Sequence, residues 1–349
     1  MPPTPAPRPR RAHPSRATPL LVLGLLAGLL AVVPWGAAPA SAATRSDVTS
    51  AWLTPRAGAN EAGPRVRLGY LKVQAPGTYS ATLSAQVTDN SRDAVQIASV
   101  SLLCKENSGD EDRIGTSANV FRGETFAMGT RVYFSVKDHG ACFAYGSTMG
   151  LKTTSASLSS RRVRVRATLT VSGPVSSATR ESKRFVYDDA SRAYSGRSSL
   201  AKPHAFTHAA ELQTAARRGS KAYVTGNTYL TTCISDGGSR DQTTNGRYLC
   251  TPGVIKHGEA GSLVRLRLVV RQYTPGGSVC ETTIVPGSTT QKRISARRHH
   301  LPVAVKGAVT LPDNSRCGTK VRAWTEVQVL DGPAVVVHFP NTVTAYRPT

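Results

Sequence analysis

The strongest constraint on this chain is a period of two. Over 162–171, Val163, Val165, Ala167, Leu169 and Val171 alternate with Arg162, Arg164, Arg166, Thr168 and Thr170. Successive side chains of a β-strand point to opposite faces, so this segment sorts into one apolar and one cationic face only as a strand. The pattern returns where Val264, Leu266, Leu268 and Val270 interleave with Arg265 and Arg267. Further candidate strands cover 79–87, 94–103, 131–136, 222–229, 303–311, 321–330 and 334–339, with Ser, Thr, Gly and Asp between them. Many short strands punctuated by turn residues predict an all-β protein built from packed antiparallel sheets.

The N-terminus carries a different signature. Arg8, Arg10, Arg11 and Arg16 precede an apolar run over 20–33, and Ala40-Ser41-Ala42 forms an A-x-A site before Ala43. That order is the anatomy of a secretory signal peptide, with cleavage after Ala42 expected and retention as an anchor the alternative. Arg10-Arg11 is a poor match to a twin-arginine signal. No apolar stretch long enough to span a bilayer follows, so the mature chain is expected to be secreted or extracellular without a transmembrane segment.

The organisation expected from composition is a signal peptide over 1–42, an N-terminal arm over 43–64 that is either a leader strand or a loose segment, a first β-sandwich domain over 65–189, a connector over 190–218 and a second β-sandwich domain over 219–349. Both domains are expected to have an immunoglobulin-like layout. In the connector, Pro203 precedes Phe206, Ala209, Leu212 and Ala216 at helical spacing, which predicts a short helix. Asp331-Gly332 reads as a two-residue hairpin turn that would set Trp324 opposite Phe339 and bury it.

The halves look related. The segment 136–142 runs from Val136 through Asp138 into Cys142, and 311–317 runs from Leu311 through Asp313 into Cys317. A β-branched strand follows each, at 163–171 and 334–339. The six cysteines fit structural disulfides in an oxidising compartment, and the repeat favours Cys104–Cys142 and Cys280–Cys317, leaving Cys233–Cys250. Metal sites want cysteines two to four residues apart, and thiol catalysis wants C-x-x-C or an unpaired cysteine; neither pattern occurs.

No cofactor or metal motif is found. His204, His208 and Glu211 would share a face of a helix, but their order differs from H-E-x-x-H, and a solvated connector explains them as well. His299-His300 follows Arg297-Arg298, a cationic neighbourhood that disfavours a metal cation. Asp110-Glu111-Asp112 lacks the ligand spacing of a calcium loop. No nucleophile elbow is present.

Charge is the sharper signal. Lys and Arg number 44 against 21 Asp and Glu, a net charge of +23, of which four charges belong to the leader arginines, leaving +19. Such a balance favours anionic partners. Arg162, Arg164 and Arg166 would stand in a row roughly 6–7 Å apart, matched to successive charges on a polymer, with Arg265 and Arg267 repeating the device. The competing explanation is a solvated face whose charge discourages aggregation. Nucleic acid is disfavoured, because no aromatic residues interleave with these arginines. The expectation is a non-catalytic secreted protein that adheres to an anionic wall polymer or surface. A hydrolase with an unrecognised site and a protein–protein module are the alternatives.

Overall fold

The computed structural model describes residues 43–56, 62–90, 95–106, 111–150, 162–182, 198–201, 206–234, 254–255, 260–295, 297–338 and 341–349. These fall within one compact unit, Ala40–Thr349. They contain strands and no α-helix, and no helix among them is long and apolar enough to cross a membrane.

The first eight strands are β1 (Ala43–Leu53), β2 (Val66–Val73), β3 (Gly77–Asp89), β4 (Val95–Glu106), β5 (Glu111–Phe121), β6 (Thr125–Val136), β7 (Gly140–Gly150) and β8 (Val163–Val175). They form two four-stranded antiparallel sheets, ordered β1-β8-β3-β6 and β2-β7-β4-β5. Only β4 and β5 are consecutive in sequence and paired with each other; every other turn carries the chain from one sheet to the other. That strand order is a jelly roll, not the expected immunoglobulin-like layout. Alternation fixes which side of a strand is buried, but not which sheet the strand joins, and the turns make that choice.

Thirteen further strands follow: β9 (Arg180–Glu181), β10 (Ser198–Ala201), β11 (Phe206–Ala215), β12 (Lys221–Thr231), β13 (Cys233–Ile234), β14 (Val254–Ile255), β15 (Ser262–Tyr273), β16 (Val279–Ile284), β17 (Thr290–Ile294), β18 (His300–Thr310), β19 (Lys320–Asp331), β20 (Val335–His338) and β21 (Val343–Pro348). In one sheet β12 has β18 on one edge and β20 and β21 end to end on the other, and these carry β10 and β9. The second sheet runs β11-β19-β15, with β16 and β17 sharing the far edge of β15. Counting each broken strand as one, the order repeats that of the first sandwich. The related segments at 136–142 and 311–317 occupy the same turn in both, from the end of β6 into β7 and from the end of β18 into β19.

Several expectations are corrected here. Of the two readings of 43–64, the leader strand describes its start, because β1 pairs with β8 along its whole length, from Ala43↔Gly173 to Leu53↔Val163. The connector helix is instead β11, paired along β19. The apolar residues that suggested a helical stripe, Ala209 and Leu212, are both buried against the second core. A β-bulge between His208 and Ala210 shifts the pleat and permits a spacing of three. The Asp331-Gly332 turn is not a hairpin, since β19 and β20 lie in different sheets; Phe339 lies outside the described residues.

Each sandwich has its own core. Val163, Val165, Ala167, Leu169 and Val171 are buried in the first, with Leu53, Leu68, Leu83 and Leu102. Val264, Leu266, Leu268 and Val270 are buried in the second, with Leu230 and Tyr346. Disulfides join Cys104 to Cys142, directly opposite each other on β4 and β7, and Cys280 to Cys317. The Cys233–Cys250 pairing lies outside the described residues.

Leu169 is fully buried on β8, between β1 and β3. Leu169→Ala should therefore lower the unfolding free energy by about 2–5 kcal/mol, read as a drop in the urea midpoint at constant m-value.

Candidate functional site

The outer face of the sheet β1-β8-β3-β6 follows directly from its core. Burying Val163, Val165 and Ala167 turns Arg164 and Arg166 to the opposite side, where both are exposed, with Arg162 exposed just before the strand. The pairing register sets their neighbours. Arg164 lies between Trp52 and Thr88, Arg166 between Ser50 and Gln86, and Thr168 between Val48 and Ser84. The next strand adds Thr125, Ala127 and Gly129 to these three rows. None of these positions is acidic. Trp52 is 49% exposed beside Arg164, so a flat aromatic ring and a guanidinium share one end of the face.

Among the described residues, Arg162, Arg164 and Arg166 make no ion pair or hydrogen bond. Arg164 and Arg166 are two positions apart on a strand, roughly 7 Å, which in water costs roughly 0.6 kcal/mol of mutual repulsion. Among the described residues, no carboxylate on this face offsets that cost.

The arginines of the second sandwich are placed differently. Arg267 Nε donates to Glu326 Oε2 at 2.7 Å, and Arg265 donates to Gln328 Oε1. Both guanidinium groups lie over the Phe206 ring, at 5.6 Å for Arg265 and 4.4 Å for Arg267. Arg267 is ion-paired, whereas Arg265 is held by a neutral amide and its Nε makes no hydrogen bond; with the Phe206 ring the two link β15, β19 and β11. Trp324 shares this outer face, yet it is only 1% exposed. His208 stacks on it at 4.8 Å, Arg271 sits 5.0 Å from its centroid, and its Nε1–H donates to Glu326 Oε1 at 3.1 Å. The expectation of a buried tryptophan is met by neighbouring side chains covering an outer face. His208 approaches Glu211 at 3.5 Å, and Glu211 pairs with Arg322 at 3.1 Å; His204 lies outside the described residues. No cluster of His, Cys, Asp or Glu among the described residues is arranged to hold a metal.

The two sandwiches meet along β5, β6, β9 and β18. Arg298 pairs with Glu124 and packs over Phe126 at 4.8 Å, and Arg297 lies 4.4 Å from the Phe121 centroid. The His300 backbone N–H donates to Asn119 Oδ1 at 2.7 Å, and the Tyr133 N–H donates to Glu181 Oε2 at 2.9 Å. Val343 from the second sandwich packs into the first core.

Beside this junction lies a cleft of about 580 Å³. Ser84, Gln86, Thr116, Met128, Thr130, Arg166 and Thr168 line it from the first sandwich, and Asn227, Thr228, Pro302, Ala304 and Asn341 from the second. Arg166, Gln86, Ser84 and Thr168 therefore belong both to the cationic face and to the cleft. The hydroxyls of Thr116, Thr130 and Thr228 are buried and make no hydrogen bond, an arrangement that costs about 1–3 kcal/mol per group. Among the described residues, the cleft lining contains no Asp, Glu, His or Cys.

A histidine cluster lies across β12, β18 and β20. Tyr229 OH and His300 Nδ1 share a hydrogen bond, as do Thr231 Oγ1 and His338 Nε2 at 2.5 Å. Thr342 Oγ1 accepts from the Tyr229 N–H and donates to the His338 carbonyl. Burial pushes His338 down to about 4. Burial, followed by the neighbouring His299 and His338, holds His300 well below the ordinary imidazole value.

Of the sequence-derived candidates, Arg162, Arg164 and Arg166 share one exposed face, while Arg265 and Arg267 lie in a separate, internally paired cluster. Trp52, Gln86, Thr116, Asn227, Thr228 and Asn341 were not foreseen. Besides the arginine row, the hydroxyl alternation on β3, with Ser80, Thr82 and Ser84 between apolar residues, was a readable signal for this face. The cleft residues come together only through the packing of the two sandwiches.

No protein family and no curated protein matches the chain. Solved structures with some similarity include the N-terminal CBM22-1–CBM22-2 tandem domain of Paenibacillus barcinonensis Xyn10C, at 10% identity over 88% of this chain and 93% of that one, with a TM-score of 0.26. A structure of infectious bursal disease virus, Gx strain, overlaps at 10% identity over 88% of this chain and 77% of that one, with a TM-score of 0.24. Overlaps at this level carry no functional weight, and the chain's own geometry has to supply it.

His338 gives a prediction with a definite sign. Its folded value near 4 lies below the unfolded value of about 6.5, so the unfolded chain takes up the proton first as pH falls. The stability of the neutral form is fully present above about 6.5 and is lost between there and about 4, a difference of about 3 kcal/mol. Urea midpoints at pH 7 and pH 4 should differ accordingly, and His338→Gln should reduce that difference.

Proposed function

We propose that this protein is a secreted, non-catalytic binder of an anionic envelope polymer, held against the outer face of the β1-β8-β3-β6 sheet. The observation that carries this reading is the state of the arginines on β8. Among the described residues, Arg162, Arg164 and Arg166 are exposed, without a partner and on a face without a carboxylate, whereas Arg267 is ion-paired to Glu326 and Arg265 is bonded to Gln328. A polymer carrying negative charges at intervals would supply the missing counter-charges, and each charge-assisted hydrogen bond is worth about 1.5–3 kcal/mol. The leader sequence and the disulfides fit an address outside the cytoplasm, where such polymers are met. Trp52 adds a flat surface on which a sugar ring can stack. The hydrolase alternative gains nothing from the cleft, whose lining offers no acid–base pair. The protein–protein alternative would be favoured by a contiguous apolar patch, and the exposed large apolar side chains, Val48, Trp52, Phe206, Val279 and Ile284, are divided among β1, β11 and β16.

Co-sedimentation of the mature protein with purified cell-wall sacculi, with and without their anionic polymers, tests the reading. The paired variant Arg164→Gln/Arg166→Gln should weaken binding at least about tenfold, the equivalent of one lost contact near 1.4 kcal/mol, and binding should fall as salt is raised. Arg265→Gln/Arg267→Gln should leave binding unchanged while lowering the melting temperature. Undiminished binding by the first pair, or equal loss from both pairs, would contradict the assignment.

A further inference from the structure

The geometry points to a second subsite: the cleft between the two sandwiches binds a carboxylated sugar unit, a uronic acid residue, through Arg166 and the polar groups facing it. The cleft is contiguous with the cationic face, because Arg166, Gln86, Ser84 and Thr168 serve both. Its volume, about 580 Å³, lies inside the range of small-ligand sites, roughly 300–1,000 Å³. The inference deepens the polymer-binding reading by naming a chemical class, but it stands on the cleft's own lining.

Three features select that class. Arg166 is the only charged residue among the described residues of the lining, and a guanidinium presents two parallel N–H groups to one carboxylate. The opposite wall supplies the side-chain amides of Asn227 and Asn341, donors and acceptors suited to ring hydroxyls. Met128 and Pro302 give the lining an apolar portion, which suits the C–H face of a pyranose ring. A linear polyol phosphate has no such face. A neutral sugar would leave Arg166 without its counter-ion.

Isothermal titration of the mature protein with trigalacturonate tests this. Neutral galactotriose and a short glycerol-phosphate oligomer serve as comparison ligands. The variant Ala304→Trp fills the cleft from an exposed position on β18 and leaves every arginine in place, and Asn341→Asp sets a like charge against the carboxylate. Wild type is expected to bind trigalacturonate, and each variant to bind it at least tenfold more weakly with an unchanged melting temperature. Arg164→Gln, outside the cleft, should bind the trisaccharide as wild type does while losing affinity for sacculi. Loss of sacculus binding in Arg164→Gln together with undiminished trigalacturonate binding in Ala304→Trp would overturn the cleft and leave the face intact. Trigalacturonate binding that depends on the cleft, without any sacculus binding, would uphold the cleft and remove the polymer reading. Equal affinity for the glycerol-phosphate oligomer or for galactotriose would overturn the uronate class, as would no binding of trigalacturonate to wild type.

Discussion

The burial of one face of β8 governs the rest of the structure. Val163, Val165, Ala167, Leu169 and Val171 fill the first core, and the strand's period of two leaves the intervening residues no other place than the outer surface. β8 is flanked by β1 and β3 along nearly its whole length, so its position is set from both sides. Moving Arg164 or Arg166 inward would require a register slip that expels the entire apolar set, which makes the cationic row as firmly placed as the core itself.

The second sandwich uses the same strand order for a different result. Its β15 also alternates apolar residues with arginines, yet Glu326 and Gln328 on β19 stand opposite Arg267 and Arg265. There one charge meets a carboxylate, Arg267 on Glu326, and the other is held by a side-chain amide, Arg265 on Gln328. In the first sandwich the positions beside the arginines are Trp52, Ser50, Thr88 and Gln86, which offer no counter-charge. Identical periodicity thus yields an internally bonded cluster in one body and an exposed cationic row in the other. The difference lies in the cross-strand partners. Contacts such as Arg298–Glu124 and His300–Asn119 fix the two bodies together, and the cleft is a consequence of that junction.

Much of this was legible in the sequence, and the reasons are local. Strand faces follow from alternation, and the apolar sets at 163–171 and 264–270 fall inward as the pattern requires. The two described disulfides followed from spacing and repeat. Strand pairing is not local: a turn sends the chain to its own sheet or to the opposite one according to backbone geometry, which composition does not encode. The jelly-roll order was therefore out of reach, and so was the distinction between the two arginine rows. β11 was misread because its bulge at His208/Ala210 produces a helix-like spacing of apolar residues within a strand. The cleft joins residues from β3, β5, β6, β8, β12 and β18, and no single segment carries its signature.

The placement of a ligand on the first sandwich rather than the second is most directly tested by hydroxyl-radical footprinting with and without an acidic polysaccharide. Trp52 and Phe206 provide matched reporters, 49% and 45% exposed on the two sandwiches. Oxidation of Trp52 should fall sharply when polymer is present while that of Phe206 stays constant. Protection of Phe206 with Trp52 unchanged would place the polymer on the other body and contradict the account.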